Sequence, residues 1–181
     1  MKVLLHCCCA PCLIYPYSLL KDDGTDVTAF FYNPNIHPFR EFKKRLEALE
    51  NYSTSLSIPL ITENQYGLVD FLRKAVFHEP ERCGICYSMR LEKTALVAKK
   101  LGFDAFTTTL LYSRYQRHEL ITSFCNTLSG QLNIPFLYHD FRAGWQSGVD
   151  KAKELNMYRQ PYCGCIYSEQ ERYDKSLKKG K

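Results

Sequence analysis

The sequence predicts a three-layer α/β fold with a mainly parallel sheet. Short β-branched or aromatic runs alternate with helix-period segments along the whole chain. The connections between runs are long enough for crossover helices, which parallel neighbours require. At 181 residues the chain has material for one ordinary domain, 1–181, and no internal repeat or low-complexity segment divides it.

Lys2-Val3-Leu4-Leu5 reads as a buried first strand. Pro11 suits the first turn of a helix, where its missing N–H costs nothing, and Leu13 to Leu20 is helical despite Pro16, closed by Asp22-Asp23-Gly24. Val27 to Tyr32 is the second strand. Asn33-Pro34-Asn35-Ile36-His37-Pro38 is a loop, because each proline pushes its predecessor out of helical geometry. Phe39 to Ser57 carries Phe42, Leu46, Leu49 and Tyr52 at helical spacing, so these residues are core. Pro59 to Thr62 is a third strand and Leu68 to Phe77 a helix. Glu79-Pro80 interrupts before a long helix that starts near Cys83 and ends at Gly102. Ala105 to Leu110 is a fourth strand, followed by the polar loop Ser113 to His118 and a helix over Glu119 to Leu128. Pro135 to Tyr138 reads as a fifth strand, Val149 to Asn156 as a helix, and Ser168 to Leu177 as a short charged helix. A basic tail, flexible from about residue 175, ends the chain with Lys175, Lys178, Lys179 and Lys181.

Hydrophobic residues at 45% and charged residues at 24% are ordinary globular values and disfavour disordered and membrane classes. No apolar run approaches the ~18 residues of a membrane span, and the first apolar run is too short for a signal-peptide core, so a cytoplasmic setting is expected. A net charge of +5 is compatible with a polyanionic partner such as RNA, but taken alone it favours a solvated basic tail.

Nine cysteines in a reducing compartment point to metal or redox chemistry rather than disulfides. Cys7, Cys8, Cys9 and Cys12 stand where the first strand hands over to a helix. Cys83-x-x-Cys86 opens another helix, with a spacing that lets two sulfurs face one ion. In Cys163-Gly164-Cys165 the glycine permits a sharp turn, which favours a redox-active disulfide or two ligands on one metal. Each cluster lies at a strand exit or helix start, so convergence at one sheet edge is expected, at the carboxyl ends of the strands. Cys125 lies mid-helix on an apolar face and reads as core, and Cys7 as structural. Among the histidines, His37 is the candidate for function; His78 and His139 read as surface or capping residues. No Gly-rich phosphate loop follows the first strand and no Gly-Lys-Ser/Thr occurs, so a thiolate-bound iron–sulfur cluster is the economical inference. The rivals are a zinc-stabilised RNA-binding module and a thiol-dependent tRNA sulfur transferase, the latter lacking its nucleotide loop.

The strings Leu4-Leu5-His6-Cys7-Cys8-Cys9-Ala10-Pro11-Cys12, Asn33-Pro34-Asn35-Ile36-His37-Pro38, Arg82-Cys83-x-x-Cys86-Tyr87-x-x-Arg90-Leu91, Asp140-Phe141-Arg142 and Tyr158-Arg159-Gln160-x-Tyr162-Cys163-Gly164-Cys165 closely resemble the cobalamin-independent epoxyqueuosine reductases, the QueH family. The similarity runs from about residue 3 to 168. One departure is Arg114, where the family often has proline after the serine. The resemblance implies a Rossmann-like fold similar to the adenine nucleotide α-hydrolases. It also implies reductive removal of the epoxide oxygen from epoxyqueuosine at the tRNA wobble position, the last step of queuosine synthesis. Further implied are a 4Fe-4S cluster, with or without an additional iron ion, and a low-potential electron donor. By position, Cys8, Cys9, Cys83 and Cys86 are the implied cluster ligands. Cys163 and Cys165 are then a redox-active pair or ligands of the additional metal. The proton donors considered are His37, Tyr115 and Asp140, in that order. Arg142, Arg159 and Lys151 are candidates for tRNA phosphate, and Tyr158 and Tyr162 for stacking on a base.

Overall fold

A computed structural model describes residues 1–178. Four strands form one parallel sheet: β1 (Lys2–His6), β2 (Asp26–Phe31), β3 (Leu60–Thr62) and β4 (Ala105–Thr108), in the order β3-β2-β1-β4. β1 is central, and Val3, Leu4 and Leu5 are fully buried. A parallel strand covered by helices on both faces needs an unbroken apolar run rather than an alternating one, which is what β1 supplies.

Among the described residues seven α-helices accompany the sheet: α1 (Ala10–Asp22), α2 (Phe39–Ser55), α3 (Leu68–Ala75), α4 (Arg82–Lys100), α5 (His118–Leu132), α6 (Trp145–Glu154) and α7 (Ile166–Tyr173). α1 packs on α6 and α2, whereas α4 packs on α5, α3 and strands β1 and β4. The crossover after β1 leads to β2 on one side, and the chain later returns to pair β4 on the other. The crevice between these two departures lies at the carboxyl end of β1, the position where open α/β sheets bind ligands.

Two expectations are corrected. Pro135 to Tyr138 is no full strand: only Phe136 bridges Phe106, through Phe106 N–H to Pro135 O (3.0 Å) and Leu137 N–H to Phe106 O (2.9 Å). Pro135 has no N–H to extend the ladder. α1 runs from Ala10, three residues ahead of the expected Leu13 to Leu20 segment but with Pro11 in its first turn as expected and Cys9 in extended conformation at its N-cap, and this places Cys12 in the helix. Beyond α7 the chain makes one 3-10 turn, Lys175–Lys178; Lys179 and Lys181 of the expected tail lie outside the described residues. Among the described residues no helix is long and apolar enough to cross a membrane.

Candidate metal centre

The first cysteine cluster is built by the exit of β1. Cys7 is fully buried, its N–H donating to Phe30 O (2.8 Å) and its carbonyl accepting from Asn33 Nδ2 (2.9 Å), so it extends the sheet and turns away from solvent. Cys8, Cys9 and Cys12 then wrap the start of α1 and bring three sulfurs within 4.8 Å of one another. Cys8 lies between them electrostatically. S–H donation from Cys12 and Cys9 holds its thiol well below the ordinary value, against burial, and the charges of Arg90 and Arg45 act in the same direction. Cys9 is pushed up chiefly by burial, and Cys12 by its hydrogen bonds to Cys8 and Cys9.

The second cluster occupies the first turns of α4. Cys86 is buried and its thiol is pushed up to about 12 by desolvation, opposed by Arg90 one turn on, whose Nη1 lies 3.5 Å from Cys86 Sγ. Cys83 is half-buried and also raised by burial, with Cys163 adding like charge. Arg90 is 2% exposed. Its Nε donates to His6 Nε2 (3.3 Å), and its charge favours the thiolates of both Cys86 and Cys8. Burial lowers the pKa of His6 to about 3, so the ring beside Arg90 is neutral. Arg90 Nη2 is buried and has no hydrogen-bond partner among the described residues.

The third cluster hangs from α2. Arg45, 1% exposed, pairs through Nε with Glu41 (2.6 Å) and donates from Nη1 to Cys163 O (2.9 Å) and from Nη2 to Tyr162 O (3.0 Å). Tyr158 O–H closes the same network on Glu41. His37 N–H donates to Gly164 O (2.8 Å), and Tyr162 O–H donates to His37 O (2.5 Å). Cys163 is exposed and accepts from Gln116 Nε2 (3.3 Å), while Cys165 is buried and its sulfur accepts from Ser168 N–H at the start of α7.

The three clusters meet. A cavity of about 360 Å³ is lined by Cys8, Cys12 and Cys163 together with Arg90, and Cys83 and Cys86 lie close enough to Cys163 and Cys165 to feel their charge. The donor set suits a thiophilic metal group: sulfurs from three chain segments, largely shielded from water. An orphaned guanidinium nitrogen beside them calls for an anionic neighbour, which a thiolate-ligated cluster is.

Other expectations fare differently. Cys125 is fully buried in α5 and remains a core residue. His37 does not line the cavity; its ring is buried against Tyr66 and Phe71, with Nε2 on Pro34 O (3.1 Å). Asp140 is gripped by Arg142 through two hydrogen bonds, which lower its pKa to about 2 and keep it ionised. The same grip occupies Arg142, and Lys151 pairs with Glu154. Arg159 and Tyr162 do line the cavity. Cys12, Arg90 and Arg45 are contributors that the sequence reading left without a role. For Cys12 the Cys9-x-x-Cys12 spacing was the available clue; for Arg45, its place among Phe42, Leu46 and Leu49 on the buried face of α2.

The sequence model of the family described as epoxyqueuosine reductase QueH matches residues 3–171. The chain is 38% identical over 174 residues to a Dehalococcoides mccartyi protein named epoxyqueuosine reductase QueH, covering 96% of both chains. A Thermotoga maritima protein of the same name is 36% identical over 183 residues, covering 96% of this chain and 93% of the relative. Among solved structures, a predicted subunit of tRNA methyltransferase from Methanocaldococcus jannaschii superposes with a TM-score of 0.58 at 17% identity, over 85% of this chain and 75% of the other. At that identity the likeness is one of fold.

Proposed function

The chain belongs to the epoxyqueuosine reductase QueH family, and on that premise we propose that it reduces epoxyqueuosine in tRNA at an iron–sulfur site held by its own cysteines. The reaction takes two electrons and two protons, releases the epoxide oxygen as water and leaves the cyclopentene of queuosine. The observation that carries this reading is the convergence of distant thiols around one cavity beside Arg90, whose buried Nη2 lacks an acceptor. Cys8, Cys9, Cys83 and Cys86 are the ligands we assign to a 4Fe-4S cluster, with Cys12 as a further donor of the same trio. Cys163 and Cys165 are the redox-active pair or the ligands of an additional iron, with Cys163 the member that faces the cavity.

When bound, such a cluster supplies low-potential electrons and a Lewis acid for the departing oxygen, which side chains cannot. The chain's own residues do the rest. Arg90 balances thiolate charge, and Gln116 orients the Cys163 sulfur. Arg45 and the backbone of His37 anchor the loop that carries Cys163, so we assign His37 to anchoring rather than proton transfer. Of the three proton donors considered, only Tyr115 lines the cavity, and it stands 85% exposed where the cavity meets solvent. Protons therefore arrive from that side. A tRNA substrate also supports the cytoplasmic setting, with electrons drawn from a low-potential donor.

The test is mass spectrometry of nucleosides after incubating the iron-loaded, reduced protein with epoxyqueuosine-containing tRNA. Loss of one oxygen from the modified nucleoside is expected. No loss with a fully assembled cluster overturns the assignment, and zinc in place of iron in an active protein overturns the iron–sulfur part of it.

A further inference from the structure

We propose that the loop Ser113 to Arg117 reads the wobble nucleotide: Tyr115 and Trp145 stack on the extruded base at the cavity mouth, and Arg114 and Arg117 meet phosphates on either side. This rests on tRNA being the substrate, as argued above, and adds the residues that grip it.

Tyr115 is 85% exposed although its neighbours in the chain are firmly held. Tyr87 O–H donates to Gln116 Oε1 (2.7 Å) and accepts from Arg117 N–H (3.1 Å), while Gln116 Nε2 donates to Cys163 Sγ and Tyr115 N–H donates to Ser113 Oγ (3.2 Å). A large aromatic ring held out into solvent on a pinned loop leaves most of its surface open to a partner. Trp145 faces it edge-on, with centroids 5.7 Å apart and planes at 80°. Trp145 is itself backed by Tyr112, at 5.1 Å and 36°, whose O–H donates to Trp145 O (3.0 Å). Two fixed rings at right angles offer a planar base one face to lie on and one edge to abut. Single-stranded RNA bases are commonly gripped by such aromatic rings, and a wobble base is already unpaired.

The position of the loop sets the direction of the substrate. Gln116, next to Tyr115, touches the Cys163 sulfur, so a base lying on Tyr115 directs its cyclopentane substituent inward, towards the cysteines. Arg114 and Arg117 are exposed and make no ion pair among the described residues, which leaves their charges for phosphate.

Binding of two labelled anticodon stem-loops to the iron-loaded protein tests this, one with a purine at the wobble position and one abasic there. The wild-type protein is expected to prefer the purine by about tenfold, the usual worth of one stacked base. Tyr115→Ala should erase that preference with the cluster absorption intact, and Tyr115→Phe should restore it. Arg114→Ala should weaken both RNAs alike and flatten the salt dependence. Undiminished preference in Tyr115→Ala overturns the proposal. Should that variant not assemble, hydroxyl-radical footprinting of the wild type decides: protection of Tyr115 by the purine RNA alone supports the subsite, and equal protection by the abasic RNA overturns it. Absence of epoxide reduction with the preference intact would sink the reaction and leave the subsite standing.

Discussion

Arg90 sits between two groups of cysteines with a neutral His6 at its side, and its buried charge favours the thiolate forms of both Cys86 and Cys8. Cys86, Cys8 and Cys163 lie close enough to act on its charge, whereas Cys125 lies deep in the core, a division that single substitutions can read. Cys8→Ala or Cys83→Ala is expected to abolish the visible absorption of the reconstituted protein, whereas Cys125→Ala, deep in α5, keeps it. Equal loss in all three would falsify the separation of ligand from core. Cys163→Ser is expected to retain part of the absorption and lose turnover in the nucleoside assay. Full activity in that variant would remove both roles assigned to the Cys163 and Cys165 pair.

At the scale of elements, α2 and the segment 158–165 form one mechanical unit. Glu41 and Arg45, one turn apart on the buried face of α2, reach across to Tyr158, Tyr162 and Cys163, so the helix holds a loop more than a hundred residues away. Gly164 completes the fit. Its φ of +152° is one that side chains avoid, and a Cβ there would meet Asn35 Nδ2 at 3.2 Å and Arg45 Nη1 at 3.3 Å. Gly164→Ala is therefore expected to cost about 1–3 kcal/mol in urea unfolding and to open the buried Cys165 to alkylation. A Cys165 that stays protected at unchanged stability would show that the loop is not held this way. Arg45→Met leaves Glu41 buried without its cation and two carbonyls without donors, for a larger loss of about 3–5 kcal/mol on the same measurement.

At the scale of the whole molecule, burial of histidine makes the fold acid-sensitive. Desolvation lowers His37 to about 4, and desolvation with Arg90 lowers His6 to about 3. In the unfolded chain each takes a proton near pH 6.5. Below that pH the unfolded state binds protons that the folded state refuses, so stability declines as pH falls from about 6.5 towards 4, by at most ~1.4 kcal/mol per pH unit for each ring. Above about pH 7 neither contributes a slope. Urea midpoints across this range check the expectation, and His37→Gln should remove part of the slope. A metal held by the folded arrangement of these thiols would stabilise it over the unfolded chain, so loading is expected to raise the melting temperature relative to the stripped protein.

Much of this was written locally in the chain. The apolar run at β1, the amphipathic period of α2 and the turn residues between them specify an alternating, parallel α/β order, because each depends on neighbours within a few residues. The standing of Cys125 as core followed from the helix face it occupies. Tertiary structure alone decided which distant thiols share a space: Cys163 joins the trio at the start of α1 because Arg45 ties its carbonyl to α2. It also turned His37 inward against Tyr66 and Phe71. Periodicity says which side of an element is buried, but not what it is buried against, and a metal site is made of the latter.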